Sequence, residues 1–129
     1  MSSNPDGTMT LTYADVDNAT GRDIDVLLLT GVTSCPTDLD AAVASPNANF
    51  WVTSAGGQTL PGSPMVIGPG TPAGVLAPST PPALGVIAPG SYQACLYFDA
   101  GEGAVLQQSL AVSLVPVPGP EPVSPAFTG

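Results

Sequence analysis

Histidine and lysine are both missing from this chain of 129 residues, and arginine occurs once, at Arg22. Without His, no Ser–His or Cys–His dyad can be assembled and no imidazole can hold a metal. Without Lys, no Schiff base can form. An enzyme would have to run acid–base chemistry on Asp and Glu alone, and the chain is expected not to be one. One cation against ten acids leaves a formal net charge of −9. A phosphate backbone would be repelled with no basic patch to offset it, which argues against nucleic acid as a partner. Anionic membrane surfaces are disfavoured on the same ground. Long apolar runs are missing as well. None approaches the roughly 18–20 residues that a membrane-spanning helix needs, so no membrane insertion is expected. The start Met1-Ser2-Ser3-Asn4 lacks the basic and apolar regions of a secretory signal. That predicts either a mature form carrying an added Met, or a chain made in the cytosol that acts there or within a particle.

What is present is apolar and heavily punctuated. The 43 % apolar content is that of a globular chain, of a length suited to one domain with a modest core. Sixteen Pro and fifteen Gly break up any long helix and favour short strands joined by turns. With charged residues at 9 %, the surface must be built from Thr, Ser, Gln, Asn, Pro and Gly, as on many secreted and virion proteins.

The clearest element follows Pro89-Gly90. From Ser91 to Asp99, Tyr92, Ala94, Leu96 and Phe98 fall on one face and Gln93, Cys95 and Tyr97 on the other, the period of a central strand. Upstream, residues 1–7 form a polar arm ending in the turn signal Asp6-Gly7. Thr8 to Val16 alternates as a half-buried strand with Thr8, Thr10 and Thr12 toward solvent. After a turn at residues 17–21, Asp23 to Thr30 makes a second strand, whose Leu27-Leu28-Leu29 run predicts burial on both faces. Thr37 as N-cap and Asp40 at the third helical position predict a short helix over Asp38 to Ala44, ended by Ser45-Pro46. Asn49 to Ser54 is a third strand. Between Leu60 and Gly90, prolines recur at short intervals. The apolar pieces among them are expected as edge strands or extended loops, because proline cannot donate to a ladder. Gly101-Glu102-Gly103 is a hairpin turn. Ala104 to Val115 forms the last strand, with Leu106, Leu110, Val112 and Leu114 inward. Pro116 onward is expected as an extended, polyproline-like arm. The chain thus divides into an N-terminal arm at 1–7, a β domain at 8–115 and a Pro-rich arm at 116–129.

Few residues carry possible chemistry. Asp15, Asp17 and Asp23 place oxygen ligands at alternate positions, suited to a hard cation such as calcium. Gly21 is one place late for an EF-hand loop and no Glu closes it, so an Asx-rich turn explains the same residues and no cofactor is expected. Asp38 with Asp40, and Asp99 with Glu102, are carboxylate pairs. Glycoside hydrolysis would need an aromatic-lined cleft, and the chain has three Phe, three Tyr and one Trp in all. Asn18-Ala19-Thr20 is a glycosylation sequon, meaningful only in a eukaryotic secretory setting. Cys35 and Cys95 suggest one disulfide closing a loop of about 60 residues, with two free buried thiols as the alternative. The alternation places Cys95 opposite the Tyr92 face. A bridge would therefore tie the outside of this strand to the Cys35 loop.

Two patterns resemble known folds. The Thr-rich strand, the Asn-x-x-Gly turn and Asp-Ile-Asp-Val-Leu-Leu-Leu resemble the first hairpin of bacterial immunoglobulin-like domains. The order Cys35, Trp51, Cys95 resembles the immunoglobulin framework, with Tyr92 near the position of its corner tyrosine. Cys35 lies beyond the second strand, however, and Tyr92 stands three residues before Cys95, where that framework has two. The resemblance implies an all-β, immunoglobulin-like antiparallel β-sandwich with one short helix and extended arms. The function expected from the whole is a non-catalytic structural protein on the exterior of an assembly, such as a phage capsid decoration or tail protein or an extracellular filament subunit. Its partners would be proteins, through self-association or a capsid or filament lattice, and its place the virion surface or the extracellular space. The alternative is a secreted or cell-surface immunoglobulin-like binding module.

Overall fold

The computed structural model describes residues 1–12, 23–53, 64–76, 83–99 and 103–116. In chain order its elements are β1 (Ser2–Ser3), β2 (Met9–Leu11), β3 (Asp23–Leu29), α1 (Leu39–Val43), β4 (Ala48–Thr53), β5 (Met65–Ile67), β6 (Pro72–Val75), β7 (Ala83–Val86), β8 (Gly90–Asp99) and β9 (Ala104–Leu114). They form two antiparallel sheets, one of three strands in the order β1-β2-β5 and one of six in the order β7-β6-β4-β3-β8-β9. The architecture is an all-β sandwich.

Strand β3 organises the large sheet, because both of its edges are paired, Val26 with Val52 of β4 and with Leu96 of β8. Its period-2 alternation sends Ile24, Val26 and Leu28 to one face and Leu27 and Leu29 to the other. All five are buried, as the leucine run predicts. The first face packs against Met9, Leu11, Met65 and Ile67 of the small sheet and forms the main core. Phe50 and Tyr92 meet edge to face within it, ring centroids 5.9 Å apart. The second face is covered by α1 and the segment leading into it. There Ala42, Ala48, Cys95 and Tyr97 complete a smaller core with Leu27 and Leu29.

Several expectations shift. Strands β2 and β3, expected as a hairpin, lie in different sheets. Met9 and Leu11 pair with Ile67 and Met65 of β5 in the other sheet, while β3 uses both edges on β4 and β8. Residues 1–7 are no free arm. Ser2 and Ser3 pair with Thr10 and Met9 around a turn in which the Asn4 N–H donates to Thr8 O and Gly7 takes φ +86°. Thr8 is buried, its N–H and hydroxyl both donating to the Asp6 carboxylate, so it does not face solvent. Strand β6 lies inside the sheet, between β7 and β4. It escapes the proline rule because Pro72 sits at its first position and only Gly74 and Val75 pair with β4.

The helix begins one residue late. Asp38, and not Thr37, is the N-cap, its Oδ1 accepting from Ala41 N at 2.8 Å. Thr37 stays outside the helix, its carbonyl accepting from Leu106 N. Leu106 faces the smaller core. The register between β8 and β9 slips after Leu96, which pairs with Gln108, while Tyr97 pairs with Leu106. The extra Gln107 reverses the parity, so Leu110, Val112 and Leu114 belong to the main core and Leu106 to the other. The Pro-rich arm from 117 onward lies outside the described residues.

Candidate functional site

The outer face of the large sheet, away from the small one, gathers most of the residues singled out in the sequence. Cys35 and Cys95 form a disulfide. Cys95 is fully buried in the middle of β8, flanked through the register by Leu27 of β3 and Ser109 of β9. Cys35 comes from the segment between β3 and α1. The bridge therefore fastens that segment onto the sheet's outer face and does not join the two sheets. One residue on, the Pro36 carbonyl accepts a 2.7 Å hydrogen bond from the fully buried Tyr97 hydroxyl. Burial, and secondarily the nearby Asp38 carboxylate, push the Tyr97 pKa up to about 12.

Trp51 shares this face but does not stack on the bridge, because Leu27 stands between Trp51 and Cys95 in the register. Its indole N–H donates to Asp25 Oδ1 at 2.8 Å, giving a partner to a carboxylate only 3 % exposed. On the opposite face, the Tyr92 hydroxyl donates to Ala88 O at 2.7 Å, closing the turn that leads into β8. Burial raises the Tyr92 pKa.

The proposed calcium ligands do not come together among the described residues. Asp23 sits at the start of β3 opposite Asp99 of β8, while Asp15, Asp17 and the Asn18 sequon lie outside the described residues. No group of three ligating side chains occurs among the described residues. Asp38, Asp40 and Asp99, which the sequence distributes over two pairs, border one open groove of about 550 Å³ with Gly103 and Val105. Glu102 falls outside the described residues. Two of the three acids serve the local backbone, Asp38 as the helix cap and Asp99 as acceptor for Gly103 N at 3.0 Å. The arrangement is that of capped turns.

The edges of the large sheet stand out more. Strand β7 ends it on one side with Leu84 83 % and Val86 55 % exposed. On the outer face Leu84 pairs across from Gly74, which pairs with Trp51. Strand β9 ends it on the other side, eleven residues long. Neither strand holds an Asp, Glu, Lys, Arg or Pro. Edge strands of soluble proteins are ordinarily blunted by such residues. Beside β9, an open groove of about 540 Å³ runs between Gly31–Thr33, Gln93 and Ala111–Ser113. The absence of charge in both strands is readable in the sequence, but that these two are the edges is not, since periodicity does not give strand order. No protein-family model, curated protein or solved structure matches the chain.

Proposed function

We propose that this chain is a non-catalytic structural subunit on the exterior of an assembly, such as a phage capsid decoration or tail protein or an extracellular filament subunit, acting through protein–protein contact. The observation that carries the reading is the pair of uncharged edge strands on one sheet, β7 with Leu84 and Val86 exposed and β9 over eleven residues. An isolated protein of this charge would be expected to spend some of its acids guarding these edges. Here no acid lies within either strand, and those nearest β9 stand at its ends, Asp38 bridging Val105 at one and Asp6 preceding the Gly7 that accepts from Val115 N at the other. The lack of His and Lys supports a role without catalysis. Light scattering on the purified chain over a range of concentrations tests the reading. Oligomers growing with concentration are expected, and a monodisperse monomer throughout would overturn it.

A second reading, a secreted or cell-surface immunoglobulin-like binding module, draws on two observations. The disulfide suits an oxidising compartment. The Tyr92–Ala88 hydrogen bond has the form of the tyrosine corner of immunoglobulin-like sandwiches. A monomer that captures a foreign surface protein would favour it.

A further inference from the structure

We propose that the groove over Gln93 receives the β7 edge of a second copy of this chain, in a head-to-tail contact that repeats from copy to copy. The inference rests on the subunit reading above and names its contact. Its first support is a buried amide with nothing to bond. Gln93 is 8 % exposed, and its carboxamide has no hydrogen-bond partner among the described residues. Buried polar side chains are ordinarily satisfied, and one that is not calls for an explanation. The register sets Leu29 of β3 on one side of Gln93 and Ala111 of β9 on the other, so its side chain lies on the outer face with that of Leu29. That face carries the open groove of about 540 Å³, with Ser91 and Ser113 further along its floor and Gly31–Thr33 as its wall. The wall runs on to Cys35, so the disulfide holds it in place.

The groove suits a neutral peptide edge. A carboxamide brings an NH2 donor and an acceptor oxygen, the complement of a backbone C=O and N–H. Among the described residues no charged side chain lines the groove, and the half-buried Val32 adds an apolar patch to its wall. The Tyr92 ring meets Phe50 in the main core, which leaves a sugar no stacking surface in the groove.

Strand β7 presents such an edge. Ile87, just past its end, turns both backbone groups toward the segment leading into β6, its N–H donating to Thr71 O and its carbonyl accepting from Gly70 N. That direction alternates along a strand, so Leu84 and Val86 point their N–H and C=O groups off the sheet. Among the described residues nothing pairs with that side of β7. The exposed Leu84 and Val86 side chains accompany these groups and would meet Val32 in the groove. Charge favours a second copy over a basic partner. Neither β7 nor the described lining of the groove holds an acid for a cation to meet. On a chain of net charge −9, these are surfaces that two copies can join without setting acid against acid. Strands β6, β4 and β3 separate β7 from β8, so one copy can offer its edge and its groove at the same time. A contact of this heterologous kind closes into a ring or continues as a filament.

Two substitutions separate the two sides of the contact in the full, disulfide-bonded chain. Gln93→Met keeps an unbranched side chain and removes the unpaired polar atoms. It should therefore leave the Tm in dilute solution unchanged or raise it, while weakening association. Leu84→Asp sets a charge on the β7 edge, at a side chain 83 % exposed. By sedimentation, the wild type is expected to form oligomers that grow with concentration, and each variant to raise the dissociation constant at least about tenfold. Mixed in equal amounts, the two variants should form a dimer of one chain of each with wild-type affinity, and nothing larger, because one retains the edge and the other the groove. A Gln93→Met chain that associates as tightly as the wild type would overturn this contact. So would one that melts well below the wild type, since the amide would then already have a partner within the chain, and so would a mixture that stays monomeric. Each of these leaves the subunit reading standing. A wild-type chain that stays monomeric to about 0.5 mM would overturn both.

Discussion

Replacing Cys35 and Cys95 together by Ala should remove a large share of the stability of this chain. The bridge spans a sequence separation of 60 residues. In the loop-entropy treatment, cross-linking a loop of that length stabilises the folded state by roughly 4 kcal/mol, by restricting the unfolded chain. Structure adds to this figure. The bridge holds the segment over Leu27, Leu29 and Tyr97, and a hydrogen bond, from the Tyr97 hydroxyl to Pro36 O, depends on that segment staying in place. Against a total of about 5–15 kcal/mol for an ordinary domain, the loss leaves little in reserve. For a chain of this size it corresponds to a fall in Tm of about 12–20 °C. The assay is a thermal melt followed by circular dichroism, on the oxidised wild type, on the wild type in reductant and on the double variant. The last two should melt together, well below the first. A shift under about 3 °C would refute the reasoning, since the loop constraint would then contribute almost nothing.

Two further outcomes follow from single residues. Folded, Tyr97 holds its proton to about pH 12, whereas a tyrosine in an unfolded chain releases it near 10. Its contribution is therefore complete below pH 10 and is lost as pH rises toward 12, on the order of 2 kcal/mol. Urea titrations across that window should show stability falling, with a shallower slope in Tyr97→Phe, where among the described residues Tyr92 still acts in the same direction. Equal slopes in the two proteins would contradict the assignment. At Gly7, with φ +86°, a Cβ would run into the Val115 side chain. Gly7→Ala should thus cost more than about 1 kcal/mol in a denaturant titration, and an unchanged midpoint would show that the β1–β2 turn does not need glycine.

Local alternation made much of the large sheet legible. The two faces of β8 could be assigned from Ser91 to Asp99 alone, and with them the position of Cys95 on the side away from Tyr92 and Ala94. The double burial of β3 followed from three adjacent leucines. Alternation assigns a face, however, and not a neighbour. Strands β2 and β3 read as a hairpin, yet Met9 and Leu11 pair with β5 in the other sheet. Leu106 was misplaced because nothing in Gln107 marks it as an extra residue. The N-cap moved from Thr37 to Asp38 because a distant strand claims the Thr37 carbonyl. Of the candidate site, the cysteine pair was visible from the outset. The open edge of β9 was not, because it depends on which strand ends the sheet.

The large sheet has no side turned wholly to water, since it carries one core against the small sheet and another beneath α1. Its central strand supplies alternate side chains to both, so neither core can loosen without disturbing the residues that support the other. The two halves are mechanically one body, although different segments cover them. A strain applied at the bridge, on one side, is felt at the Phe50–Tyr92 contact on the other through the thickness of a single strand layer. Under load, that coupling would let the sheet bear force as a unit rather than peel apart in layers.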